Sequence, residues 1–411
     1  MKNIMKYASL LMAAVMLFSC EGLPTGTGNE GENGGNNGGT GGSGEKKVLK
    51  INSDKNLIQT FGGDYATLTV TLGGEVVTEG VTFYDEKYNV LPVEDFKFSA
   101  TEPGEYTFLA SYGTFLSETI SIKAISIEIP ETPVDPKPES TDFKARTLFT
   151  EFTTTGCSWC PSMKAVIHEA MAKPEVSDRV VLATCHSSLV NSKKDPAYIR
   201  TGYEEFSGMT GMPYMFCDMY YGFGYYNSLS ASDIEGVVDE LCSSKEDVAA
   251  GIAVNASLKD GQLVAKVTVK AAETGNYRIG AFLLEDGIYG QQTSATEDWM
   301  HMHDGVMRYI DSKYYTATGR EQYYGHSVGE VAAGKTADYV FVWMLDEIWE
   351  AGALAGEQYG GYYWDEFVLE NLHLAVFVST IGTNKDGDEF YYVNNVIDCP
   401  VNGKTQYEYA E

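Results

Sequence analysis

The sequence predicts a multidomain α+β chain: a small β-sandwich, then an α/β layer domain, then a β-rich, sandwich-like domain. Three observations carry that prediction. Residues 46–129 hold short runs of alternating apolar and polar residues, broken by Gly, Pro and Asp/Asn. Residues 142–246 alternate strand-like and helix-like periods around Cys157-Ser158-Trp159-Cys160. Residues 247–411 return to strand runs joined by hairpin signals such as Asp260-Gly261. At 411 residues the chain is long enough for two or three domains.

The first residues read as a targeting segment rather than as fold. Lys2 and Lys6 precede an apolar run over 8–18, and Leu17-Phe18-Ser19-Cys20 matches a lipoprotein cleavage box. Residues 1–19 are therefore expected to be a signal peptide and Cys20 the lipidated residue. Glu21, rather than aspartate, follows it, which resembles outer-membrane lipoproteins of diderm bacteria. The expected location is the outer membrane, on its periplasmic face or at the cell surface, with the membrane a partner through the lipid. Residues 20–45 are a Gly-rich flexible tether. A formal net charge of −29 with no basic cluster argues against nucleic acid and against adhesion to anionic lipid.

In the 46–129 segment, runs at 66–71, 80–84, 105–110 and 119–127 read as strands. The phrase Glu102-Pro103-Gly104-Glu105-Tyr106 resembles the late hairpin of bacterial immunoglobulin-like domains. Four prolines make 130–141 a semi-rigid linker. Next come a strand at 147–152, a helix at 162–173, a strand at 179–184, a helical stretch at 197–206, a strand at 214–217 and a helix at 232–243. In the last segment, strands are expected at 277–285, 337–345, 372–381 and 389–397, with a hairpin turn at 384–388.

Two thiols two residues apart, between a strand and a helix, can close a small ring and reopen it. A helix N-terminus beneath the first would stabilise its thiolate. Cys157 is the expected exposed nucleophile and Cys160 the thiol that resolves its mixed disulfide. Seven cysteines occur; with Cys20 lipidated, the pairing of Cys185, Cys217, Cys242 and Cys399 is open. A fixed structural disulfide is one alternative, and metal ligation with His168 or His186 another.

Met212-Pro213 opens a strand 53 positions after Cys160. With that, the middle segment resembles a thioredoxin fold, in which a cis-proline packs against the dithiol and the residue before it meets the substrate. The resemblance gives Pro213 the first role and Met212 the second. Glu151, six residues before Cys157, matches the place of a buried acid that helps deprotonate the second cysteine; a solvent-facing strand residue is the other reading. Trp159 stands where thioredoxin has proline and is expected at the substrate surface. The stretch 151–161, with His301-Met302-His303-Asp304-Gly305 and Tyr391-Tyr392-Val393-Asn394-Asn395, is similar to the 28-kDa outer-membrane lipoprotein family of Bacteroides-type bacteria. That resemblance implies a thioredoxin-like domain before a β-sandwich, and covers the chain from about residue 142 onward.

Met300-His301-Met302-His303 also admits a copper or zinc reading, though an interface role fits two lone histidines better. The aromatic loops 220–226 and 359–364 suit packing, with sugar or peptide contact as the alternative. No cofactor or resident metal is assigned. The expected activity is thiol–disulfide exchange on extracytoplasmic proteins, with a surface-binding lipoprotein on the same scaffold as the alternative.

Overall fold

Strands with one apolar face must bury that face against a second layer. The computed structural model describes residues 47–60, 63–126, 128–187, 194–259, 261–311, 323–383 and 389–410. The chain is β-rich, with several sheets and few helices. The leader, Cys20, the tether and the 384–388 turn lie outside the described residues.

β1 (Leu49–Ser53), β3 (Ala66–Leu72), β4 (Glu75–Val77) and β6 (Lys97–Phe98) form one sheet. A second holds β2 (Leu57–Gln59), β5 (Val81–Tyr84), β7 (Gly104–Tyr112) and β8 (Phe115–Ile125). Leu49, Leu68, Val70, Phe108 and Ile122 build their common core. The Pro-rich linker after them is pinned rather than free. The Asn255 side chain donates to Glu131 O at 2.7 Å, and Lys270 Nζ lies 2.9 Å from Asp135 and 2.6 Å from Pro138 O.

All six residues of β9 (Thr147–Phe152) are buried. Its side chains alternate between two cores rather than between core and solvent. Phe149 joins Met163 and Ile167 of α1 (Cys160–Met171) and Ile234 and Val238 of α4 (Ala231–Ser243). Leu148 and Phe152 meet Phe282, Phe377 and Val396 on the other face. After α1 comes α2 (Pro174–Ser177). β9 pairs in parallel with β10 (Val180–Cys185) and antiparallel with β11 (Tyr214–Cys217), which pairs with β12 (Tyr221–Gly224).

The sheet continues past the boundary expected at 246/247. β10 pairs with β18 (Val306–Ile310), and β15 (Gly275–Glu285), β19 (His326–Val331), β21 (Leu372–Thr383) and β22 (Glu389–Pro400) extend it to nine strands among the described residues. That boundary therefore lies within one sheet, because the second apolar face of β9 and β10 finds its partners in the last segment. β13 (Gly251–Lys259), β14 (Gln262–Lys270), β20 (Thr336–Met344) and β23 (Lys404–Thr405) form a further sheet. Ile252, Val267 and Phe341 of this sheet pack with Ile279, Leu374 and Val376 of the long one.

Of the helical stretch expected at 197–206, only α3 (Tyr203–Ser207) forms. Asp195 captures the Ala197 N–H at 2.9 Å, and Tyr198 bridges to His186, so this backbone bonds outside a helix. Cys185, Cys217, Cys242 and Cys399 are buried free thiols. Burial raises the thiol pKa of Cys185 and Cys217 well above its ordinary value, which leaves both unreactive.

Candidate active site

β9 ends at Phe152, and the chain turns through residues 153–157 into α1. Cys157 N–H bonds Thr154 O at 3.0 Å, closing that turn. Trp159 caps α1, Pro161 occupies its first turn, and the Cys160 N–H donates to Cys157 Sγ at 3.1 Å. Cys157 and Cys160 are joined as a disulfide. The helix terminus thus presents a free N–H to the first sulfur, which favours negative charge there once the bond opens.

Cys157 is only 4 % exposed, against the exposed nucleophile expected from sequence, while Trp159 is 58 % exposed. The turn is covered by residues 290–293 of the last segment. Gln292 Nε2 donates to Cys157 O at 2.8 Å and to Thr154 O at 3.2 Å, and Thr293 N–H donates to Thr155 O at 2.8 Å.

The Met212–Pro213 peptide is cis, Pro213 is buried and Met212 half-buried. Because Tyr214 pairs with Phe152, Pro213 lies beside the start of the cysteine turn. Pro213 O accepts the Tyr225 N–H at 3.3 Å, and the Tyr225 ring lies 6.3 Å from that of Trp159. Proline, tryptophan and dithiol therefore gather at one end of β9 and β11.

Glu151 shares the face of β9 that α1 covers and is 3 % exposed, which rules out the solvent-facing reading. Its Oε1 is buried with no hydrogen-bond partner among the described residues. Burial raises its pKa to about 7, with the charge of Lys164 pulling the other way. Burial likewise lowers the pKa of Lys164, whose ammonium donates to Met300 O at 3.1 Å and to Met302 O. A cavity of about 320 Å³ opens beside Glu151, walled by Lys164, Ile167, Leu182, Trp299 and His303.

The histidines have separate duties. His168 stacks on Trp299 at 4.3 Å. His301 Nδ1 accepts the Gln292 N–H at 3.0 Å, and His303 Nε2 bonds Gly290 O at 3.2 Å. Burial, and then the neighbouring His186 ring 4.8 Å away, lower the His303 pKa to about 3, so its imidazole is neutral. His186 Nδ1 bonds buried Asp195 at 2.9 Å. Burial opposes the charge of Asp195, but His186, the Thr155 N–H and the Thr154 hydroxyl outweigh it and hold the carboxyl below its usual range. Asp195 thereby anchors the start of the cysteine turn. No group of three or more His, Cys, Asp or Glu set to hold a metal occurs among the described residues.

Both aromatic loops are used largely in packing. Tyr220 lies 5.2 Å from Phe390 and 6.1 Å from Tyr392. Trp364 is buried beneath Arg308 and donates to Tyr198 O at 2.9 Å. Tyr221 and Tyr226 remain exposed. Sequence reasoning missed Lys164, Asp195 and Gln292. Lys164, seven residues after Cys157, could have been found from helix geometry; Asp195 and Gln292 reach the turn from distant segments with no local signal.

No family model matches the chain, and no curated protein does. The resemblance to the 28-kDa lipoproteins therefore rests on its quoted motifs alone. Among solved structures, HBP35 of Porphyromonas gingivalis is similar at 14 % identity with a TM-score of 0.45, over 66 % of this chain and 79 % of that one. Domains 4–9 of the surface layer protein SbsC align at 10 % identity with a TM-score of 0.16, over 90 % of this chain and 69 % of that one.

Proposed function

We propose that the protein exchanges thiols and disulfides on extracytoplasmic proteins through Cys157 and Cys160, on a thioredoxin-like scaffold held at the outer membrane by lipidated Cys20. The observation that carries this reading is the dithiol at the start of α1, with the Cys160 N–H on Cys157 Sγ at 3.1 Å. The cis Met212–Pro213 peptide near the same turn and buried Glu151 support it.

From the disulfide state, a substrate thiolate attacks Cys157 Sγ. A mixed disulfide forms, the Cys157–Cys160 bond breaks, and Cys160 leaves as a thiolate that takes a proton from Glu151. A second substrate thiolate then attacks the substrate sulfur and displaces Cys157. The substrate is oxidised by two electrons and the pair is reduced; the reverse sequence reduces a substrate disulfide. A carboxyl titrating near 7 can pass this proton in both directions at neutral pH.

The low exposure of Cys157 favours a second reading, a binding lipoprotein whose disulfide is structural. Trapping separates the two. Cys160→Ser should retain mixed disulfides with disulfide-bonded protein substrates, its Cys157 thiolate attacking the substrate disulfide and expelling one substrate sulfur as a thiolate, and Cys157→Ser should retain none. Absence of trapped species in both variants would leave the binding reading. Labelled palmitate should enter the parent and not Cys20→Ala; equal labelling of the two would remove the anchor.

A further inference from the structure

Gln292 is 4 % exposed and belongs to a segment more than 130 residues from the dithiol. That segment leaves β15 and closes on itself through the short ladder of β16 (Ile288–Tyr289) with β17 (Met302–His303). Within it, Gly290 N–H bonds His301 O at 2.8 Å and Gln292 N–H bonds His301 Nδ1 at 3.0 Å. The backbone of Gln292 is therefore fixed before its side chain reaches the cysteine turn.

The side-chain amide faces carbonyl oxygens: Cys157 O at 2.8 Å, Thr154 O at 3.2 Å and Thr293 O at 3.5 Å. Only an NH2 group satisfies such a set, so the orientation of the amide follows from chemistry. Its two hydrogens match the two nearest oxygens, at the two ends of the Thr154–Cys157 turn. The Thr293 N–H on Thr155 O adds a third bond from the same segment.

We infer that Gln292 is a positioning residue for the dithiol: its amide clamps both ends of the Thr154–Cys157 turn and holds Cys157 Sγ where Cys160 closes the ring. This rests on the exchange reading above. Two groups held in bonding geometry react as if at high effective concentration, so the clamp favours the disulfide over the dithiol. It equally speeds the attack of Cys160 on a mixed disulfide at Cys157.

The test is equilibration of the full chain with dithiothreitol. Gln292→Met keeps the length of the side chain and removes the donors; Gln292→Ala removes both. In the folded variants the disulfide should be about tenfold easier to reduce, a potential less negative by about 30 mV. Melting should be lowered more in the oxidised than in the reduced form, which a merely structural residue would not produce. Adding Cys160→Ser should leave trapping intact, since attack by Cys160 is the step affected. A folded Gln292→Met with the parent's equilibrium constant, or equal melting losses in both redox forms, overturns the assignment. The parent's own potential tests the exchange reading separately, because the clamp is judged by the ratio of variant to parent.

Discussion

A buried carboxyl gives up its proton late, which for Glu151 bears on stability and, under the exchange reading, on proton transfer. Its pKa rises from 4.5 to about 7 because burial penalises the charged form. Between those values the folded chain keeps a proton that the unfolded chain has released, so this group withdraws stability as pH rises. Glu151→Gln should therefore be more stable than the parent at pH 8, by up to about 3 kcal/mol in urea unfolding, with the gain gone near pH 4. Exchange at pH 7 should slow by roughly tenfold or more, because the proton acceptor is lost. A variant that exchanges as fast as the parent would take Glu151 out of the proton path. The position of Glu151 six residues before Cys157 was legible in sequence; its burial was not, since Thr147, Thr150 and Glu151 keep this strand from reading as the continuous apolar run of one covered on both faces. Gln292 and Asp195 were illegible for a different reason. Each reaches the cysteine turn through tertiary structure, and nothing in its own neighbourhood marks it.

At the scale of elements, β9, α1, α4 and β11 stand within two residues of where periodicity put them. Each has a strong local signal: apolar spacing, a proline at the start of α1 and a Ser230/Asp233 capping box on α4. The 197–206 stretch failed because Asp195 offers its backbone an alternative partner. Where one folding unit ends was harder to read. Strand pairing from β10 to β18 leaves no local mark, so the change at 246/247 from alternating strands and helices to strand runs looked like a domain edge. The cores differ accordingly: the main core of residues 47–126 is drawn from its own strands, with Leu57 and Ile125 packing against Val264 beside it, whereas that of β9 and β10 includes Phe282, Phe377 and Val396. Excised residues 47–126 should unfold cooperatively, while excised 142–246 should lack a cooperative transition. Circular dichroism with thermal and urea unfolding checks both, and a cooperative 142–246 fragment would contradict the shared core.

Across the whole molecule, the β-rich last segment is part of the site rather than an appendage. It supplies Gln292 and Thr293 to the cysteine turn, Met300 and Met302 carbonyls to Lys164, and Trp299 and His303 to the cavity beside Glu151. The dithiol is thus held by two segments that sequence reading had kept apart. No described helix is long and apolar enough to cross a membrane. Thiol–disulfide exchange by this protein requires that the Cys157–Cys160 bond open and close under mild conditions. The reduction potential of the parent protein measures it directly. An exchange-competent pair should titrate within about −270 to −120 mV. A pair that stays oxidised below about −300 mV would be a structural bond and would contradict the account.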